Sequence, residues 1–233
     1  AMCYTKSISL AALSVGWLSC TLLLYLSFST KLSPSERGQL RVLAVFFSYV
    51  SLMQLYDYIF WTQPAGTALN KRVTQMAILT VYTQPVVLVL CVRWFLKKPL
   101  KLARPLVLLY TLTAVPHTLY LLATCTSTKV SAETGHTPDW EWVKLKSPFG
   151  WGVITNWLFL VSLTVTFWDG FEGPMRFIYS IYSIASHIFS HVKYSIIDSV
   201  GRFWCMFAAF SPLLAVVAVA PKLTSSRVQE LGR

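Results

Sequence analysis

An all-α integral membrane bundle of seven transmembrane helices is the fold class the sequence predicts. Three observations carry it. The chain of 233 residues is 55% hydrophobic and only 12% charged, too little polar character for a soluble domain of this size. Its mean hydropathy is +0.56. The charged residues also gather in short clusters between long uncharged runs. Each run is about 17–25 residues, the length that crosses roughly 30 Å of hydrocarbon at about 1.5 Å per residue. Residues 1–233 therefore read as one transmembrane helical domain.

The first span is expected at 8–29 (ISLAALSVGWLSCTLLLYLSFS), which is too long for the apolar core of a signal peptide and has no evident cleavage site. Further spans are expected at 41–62, 73–96, 105–124, 149–168, 174–192 and 200–220. Pro64, Pro99, Pro105, Pro148 and the Gly173-Pro174 pair stand between them, as helix breakers should. The sixth span, PMRFIYSIYSIASHIFSHV, is rich in Ser and His. Its Ser183, Ser186 and Ser190 recur at helical spacing and predict a small face turned to neighbouring helices. An interfacial helix there, leaving six spans, is the alternative. The longest extramembrane loop is 125–148, where Trp140 and Trp142 alternate. They read as an interfacial anchor in preference to a ligand-binding lid.

Lysine and arginine set the orientation. Twelve fall on the side of loops 30–40, 93–104 and 169–176, the C-terminal tail and the flanking Arg41, against eight on the other, so the richer side is expected to face the cytoplasm or an equivalent matrix. We call these the inner and outer sides. The net charge of +11 sits at helix ends, where it meets anionic headgroups, and no basic surface long enough to track a nucleic acid is visible. The lipid bilayer is the expected partner, together with other membrane protein subunits, and nucleic acid is excluded.

Hydrophilic residues inside spans each need a reason, because an ionisable group at a helix centre costs roughly 2.5–3.5 kcal/mol on insertion scales. In SLMQLYDYIFWTQ, Asp57 lies five residues from the outer end of the second span, with Gln54 and Trp61 on the same helical face. Gln84 and Pro85 lie in the third span, Pro116 and His117 in the fourth, Asn156 in the fifth and His187 in the sixth. All are expected in the outer half of the bundle. Two readings follow. The cluster forms an outward-facing polar cavity with Asp57 as its charged member and His117 or His187 as partners. Alternatively, these groups are interhelical glue at about 0.6 kcal/mol per contact.

Other chemistry is absent from the pattern. A retinal Schiff base needs a lysine in the middle of the last span, and the nearest, Lys193 and Lys222, lie beyond its ends. His187 and His191 have the spacing of a metal pair but no third ligand, and neither a nucleotide loop nor a Ser-His-Asp set is present. No enzyme activity, cofactor or metal is expected. Cys20 and Cys91 read as packing residues inside spans. Cys3 and Cys125 fall toward one face and could pair as a disulfide if that face is oxidising, with unpaired thiols as the alternative.

Several motifs carry a family resemblance. The opening MCYTKSISL resembles the "MCF-S" start of small multi-pass membrane proteins of unknown function from large DNA viruses, protists and some bacteria. SLMQLYDYIFW is similar to that family's second-span "MQ–E–W", TQPVVLVL to its third-span "QPV", and GRFWCMFAAFSP to its last-span "WC". The resemblance touches Cys3, Gln54, Asp57, Trp61, Gln84, Pro85, Trp204 and Cys205, with Asp57 in place of a more usual glutamate. It implies a multi-pass bundle and a polar cluster, and no activity.

The sequence thus favours a non-catalytic accessory or structural subunit of a larger membrane complex. The alternative is a small transporter, channel or sensor with an intramembrane polar cavity centred on Asp57. The membrane is left open between an organelle, such as the mitochondrial inner membrane, and the plasma membrane.

Overall fold

The structure, a computed structural model, describes residues 5–125, 127–131, 137–139, 151–194 and 200–231. Among them are seven α-helices and one two-stranded antiparallel ribbon. The first helix, α1, is Lys6–Leu26, opened by the Thr5 hydroxyl, which accepts from the Ile8 N–H at 3.2 Å. Helix α2, Pro34–Thr62, starts ahead of the predicted residue 41 because Ser33 and Glu36 close a capping box around Pro34. That cap draws most of the expected loop 30–40 into the helix. Helix α3 is Ala68–Leu96, capped by Thr67. Helix α4 is Ala103–Thr124, followed by β1 (Lys129–Ser131) and β2 (Thr137–Asp139), with Val130 opposite Pro138. Helices α5, α6 and α7 are Trp151–Gly170, Gly173–Tyr194 and Val200–Leu231.

Five stretches are long and apolar enough to cross a membrane: Lys6–Leu26, Pro34–Thr62, Ala68–Leu96, Ala103–Thr124 and Gly152–Gly170. They fit a membrane-embedded bundle. The apolar part of α7 among the described side chains is the shorter Ala209–Thr224. Helix α6 is amphipathic. It buries Ser180, Ser183, Ser186 and His187 and exposes Phe177, Ile181, Ile184 and Ile188, so its polar content lies on the face turned to other helices.

Each helix packs on the next in sequence, α3 also meets α5, and α7 returns to touch both α1 and α2. Side-chain contacts fix the directions. Trp17 of α1 donates to the Ser48 carbonyl of α2 at 3.4 Å, and Lys6 lies over the Tyr58 ring, so α1 and α2 are antiparallel. Gly16 of α1 faces Ala209 of α7 while Lys31 donates to the Leu223 carbonyl, so those two chains run parallel. The result is a closed up-and-down ring. A Cβ on Gly16 would stand 2.6 Å from Ser51 Oγ, so the close approach of α1 to α2 depends on that glycine.

Toward the inner side the ring is filled by aromatic side chains. Phe46 and Phe47 of α2, Phe167 of α5, Phe171 just beyond it and Tyr179 of α6 interlock with centroids 5.1 to 6.0 Å apart. Such pairs each contribute about 0.5–1.5 kcal/mol beyond area burial. Polar contacts bind the inner turns together. Asp169 Oδ2 accepts from the Leu102 and Ala103 N–H groups at 2.8 and 3.1 Å, capping α4 where no side chain of its own does so. Glu172 pairs with Lys98 at 2.6 Å and accepts from Ser35 at 2.7 Å, while Gln39 accepts from the Glu172 N–H. Glu36 pairs with Lys222.

Candidate functional site

The hydrophilic interior lies in the other half of the ring. On α2, Gln54 is 1% exposed, Asp57 is fully buried and Trp61 is half-buried. Their spacing puts them on the stripe of α2 that faces inward. The pairing of Trp17 with Ser48 and of Lys6 with Tyr58 sets buried Ser9 of α1 at the depth of Asp57. Tyr56 shares a 3.2 Å hydrogen bond with Thr80 and Tyr49 bonds Thr83, which sets the register of α3 against α2. In that register Asp57 lies opposite residues near 78 and Gln84 opposite residues near 50. Gln84 is fully buried and about two turns deeper than Asp57.

The deeper layer is organised by Tyr82. Its hydroxyl meets His117 Nε2 at 3.2 Å, with the two rings edge to face at 5.2 Å. The Tyr110 hydroxyl donates to the Tyr82 carbonyl at 2.6 Å, in the turn of α3 that precedes Pro85. Proline at 85 has no N–H to give the Val81 carbonyl one turn earlier, and the Tyr110 bond ties the adjacent Tyr82 carbonyl of that weakened turn to α4. Tyr110 also packs on Phe159 of α5, which packs on His187 of α6, at 6.1 and 5.9 Å between ring centres. His187 Nδ1 lies 2.9 Å from the Ser183 carbonyl and must donate to it. That leaves Nε2 as the acceptor nitrogen of the neutral ring.

Several buried polar atoms of this half have no hydrogen-bond partner among the described residues: Ser9 Oγ, both amide atoms of Gln54, Trp61 Nε1, His117 Nδ1 and Thr155 Oγ1. In native proteins such atoms are met by water or by a ligand. The arrangement offers both donors and acceptors around a carboxylate in a low-dielectric core. Chemically it can hold a proton, a small cation or a small polar molecule.

Of the residues expected to cluster, Gln54, Asp57, Gln84, His117 and His187 are in the interior, and Trp61 is at its edge. Asn156 is not. It is exposed, beside exposed Val153 and Trp157, and the inward positions of that helix are Thr155 and Phe159. Along a helix a single position turns the side chain by about 100°, enough to move it from core to surface. Cys20 and Cys91 are buried as expected, and Cys125 is buried at the end of α4. Its candidate partner Cys3, and Trp140 and Trp142, lie outside the described residues, as do the side chains of Ser190, His191, Trp204 and Cys205. No three metal-ligating side chains come together among the described residues.

The outer end is covered by the segment after α4. Asn70, fully buried at the start of α3, accepts from the Thr128 N–H at 3.0 Å and donates to the Thr128 carbonyl at 2.9 Å. Thr74 shares a 3.0 Å hydrogen bond with Thr128 Oγ1, and both ribbon strands touch α2. Sequence reasoning passed over Asn70, Tyr82 and Tyr110. Asn70 reads as a polar residue outside the span, whereas the tyrosine two residues before Gln84-Pro85 was a usable signal.

Comparison with known proteins finds no family model, no curated protein and no solved structure that matches this chain.

Proposed function

We propose that the chain is a self-contained seven-helix membrane protein that takes a proton or small cation in the outer half of its bundle, acting as a small transporter, channel or sensor. The observation that carries this reading is the direction in which its faces point. Asp57, Gln54, Gln84, His117 and His187 turn inward. The outward surface is bulky and apolar, with Leu18, Tyr25, Leu108, Leu112, Leu119 and Val217 each more than half exposed, as lipid contact requires. An accessory subunit would instead present small residues outward to its partner. Here Gly16, Ser51, Ser183 and Ser186 face other helices of the same ring. Helices α6 and α7 count as the sixth and seventh spans. They have 22 and 32 residues, at least 30 Å at about 1.5 Å per residue, and their direction alternates with their neighbours.

The test is a thermal titration of the purified full chain against pH and against added monovalent cations. A bound species raises the unfolding midpoint by mass action, by the equivalent of about 2.7 kcal/mol at a hundredfold excess over Kd. The wild type is expected to respond to one of these variables, Asp57→Asn to lose the response and Asp57→Glu to keep it. Identical profiles for wild type and Asp57→Asn contradict the reading.

A further inference from the structure

We infer that the turn joining α3 to α4 is a docking site for the phosphate of an anionic lipid headgroup in the leaflet that the inner end faces. This stands apart from the Asp57 site, at the opposite end of the ring. Arg93, Lys97, Lys101 and Arg104 are all exposed on this one turn, and none has an acidic partner among the described residues. The acids that pack against the turn are already engaged. Glu172 holds Lys98, and Asp169 Oδ2 is taken by the Leu102 and Ala103 N–H groups. The four cations are therefore left for an external anion.

The turn is also fixed. Lys97 ends α3 with φ +53°, and Leu100 follows with φ +41° while only 2% exposed. Leu100 lies against Gly170, where an added Cβ would stand 3.5 Å from it and 2.7 Å from Val92 Cγ1. A backbone held by a buried leucine and by the Asp169 cap displays its charges without further cost of ordering the main chain. A lipid phosphate fits better than a free one because apolar side chains flank the charges. Trp94 is 78% exposed and Leu102 57% exposed, an indole and an aliphatic group at headgroup depth beside the cations.

The experiment uses the full chain reconstituted in vesicles of equal phosphatidylcholine and phosphatidylglycerol, extracted gently, with retained lipids counted by native mass spectrometry. Wild type is expected to retain phosphatidylglycerol over phosphatidylcholine by about tenfold. The triple variant Lys97→Gln, Lys101→Gln, Arg104→Gln is expected to lose that preference, and Lys97→Arg, Lys101→Arg to keep it. Lys71→Gln, Arg72→Gln, exposed at the outer end, is expected to retain it as well. Inorganic phosphate is expected not to displace the lipid. No preference in wild type, an unchanged preference in the triple variant, an equal loss in the outer-end variant, or displacement by inorganic phosphate would each overturn the inference. The wild-type and phosphate measurements decide the matter even if the triple variant does not fold.

Discussion

Asn70 does for Thr128 what a neighbouring strand would do, giving one acceptor and one donor to the backbone of a buried residue. Replacing it by alanine leaves the Thr128 N–H and C=O without those partners in a site that is 1% exposed. An unsatisfied buried group costs about 1–3 kcal/mol. Asn70→Ala is therefore expected to lower the unfolding midpoint and to speed amide exchange at residues 127–131, read by hydrogen–deuterium exchange. Exchange at the wild-type rate would show that the segment is held elsewhere. Residues of this kind mark the limit of what the sequence discloses. Asp57 and Gln84 were legible because a carboxylate or an amide inside an apolar run has a cost that demands interior placement. Asn70 sits among ordinary loop residues, and only its distant partner gives it meaning. Asn156 shows the opposite failure, since a polar residue near a helix end can face outward at little cost.

At the scale of elements, hydropathy located every helix to within a few residues at most ends. The exceptions are the start of α2, lengthened by the Ser33–Glu36 box, the start of α3, which the Thr67 cap sets at Ala68 and not at 73, and the end of α7, which runs past the expected 220 to Leu231. What could not be read is the cap of α4, because Asp169 lies on another helix more than sixty residues away in sequence. The same inner turns carry a pH dependence. Hydrogen bonds from Lys98 and Ser35 hold the Glu172 carboxyl below its usual 4.5. Because the folded value lies below the unfolded one, the contribution to stability is complete above about pH 4.5 and fades as the pH falls through the lower folded value. Glu172 is about half exposed, so screening by solvent limits the effect to about 1 kcal/mol or less. The expected result is that Glu172→Gln unfolds at a lower temperature than wild type near neutral pH. The difference should vanish in acid and shrink with added salt. A difference that persists in acid would assign the effect to something other than the charge.

Over the whole molecule the two halves of the ring have different interiors. Aromatic side chains from α2, α5 and α6 close the inner half, and Tyr179 adds a 2.8 Å hydrogen bond to the Ser211 carbonyl of α7. The outer half carries the carboxylate, the amides and His117, under the segment that Asn70 fastens. An aromatic layer in one half and a polar core in the other make the interior of the ring asymmetric. The sequence pointed to this asymmetry through the depth of each polar residue, but not to the ring closure of α7 on α1 and α2, which depends on tertiary packing.

The most direct measurement places a cysteine at Gln54 in a chain whose own five cysteines have been replaced, then adds a membrane-impermeant thiol reagent to either side of sealed vesicles. Gln54→Cys is expected to react from the outer side alone, and Phe47→Cys, within the aromatic seal, from neither side. Protection of Gln54→Cys from both sides, or reaction from the inner side, would contradict the account.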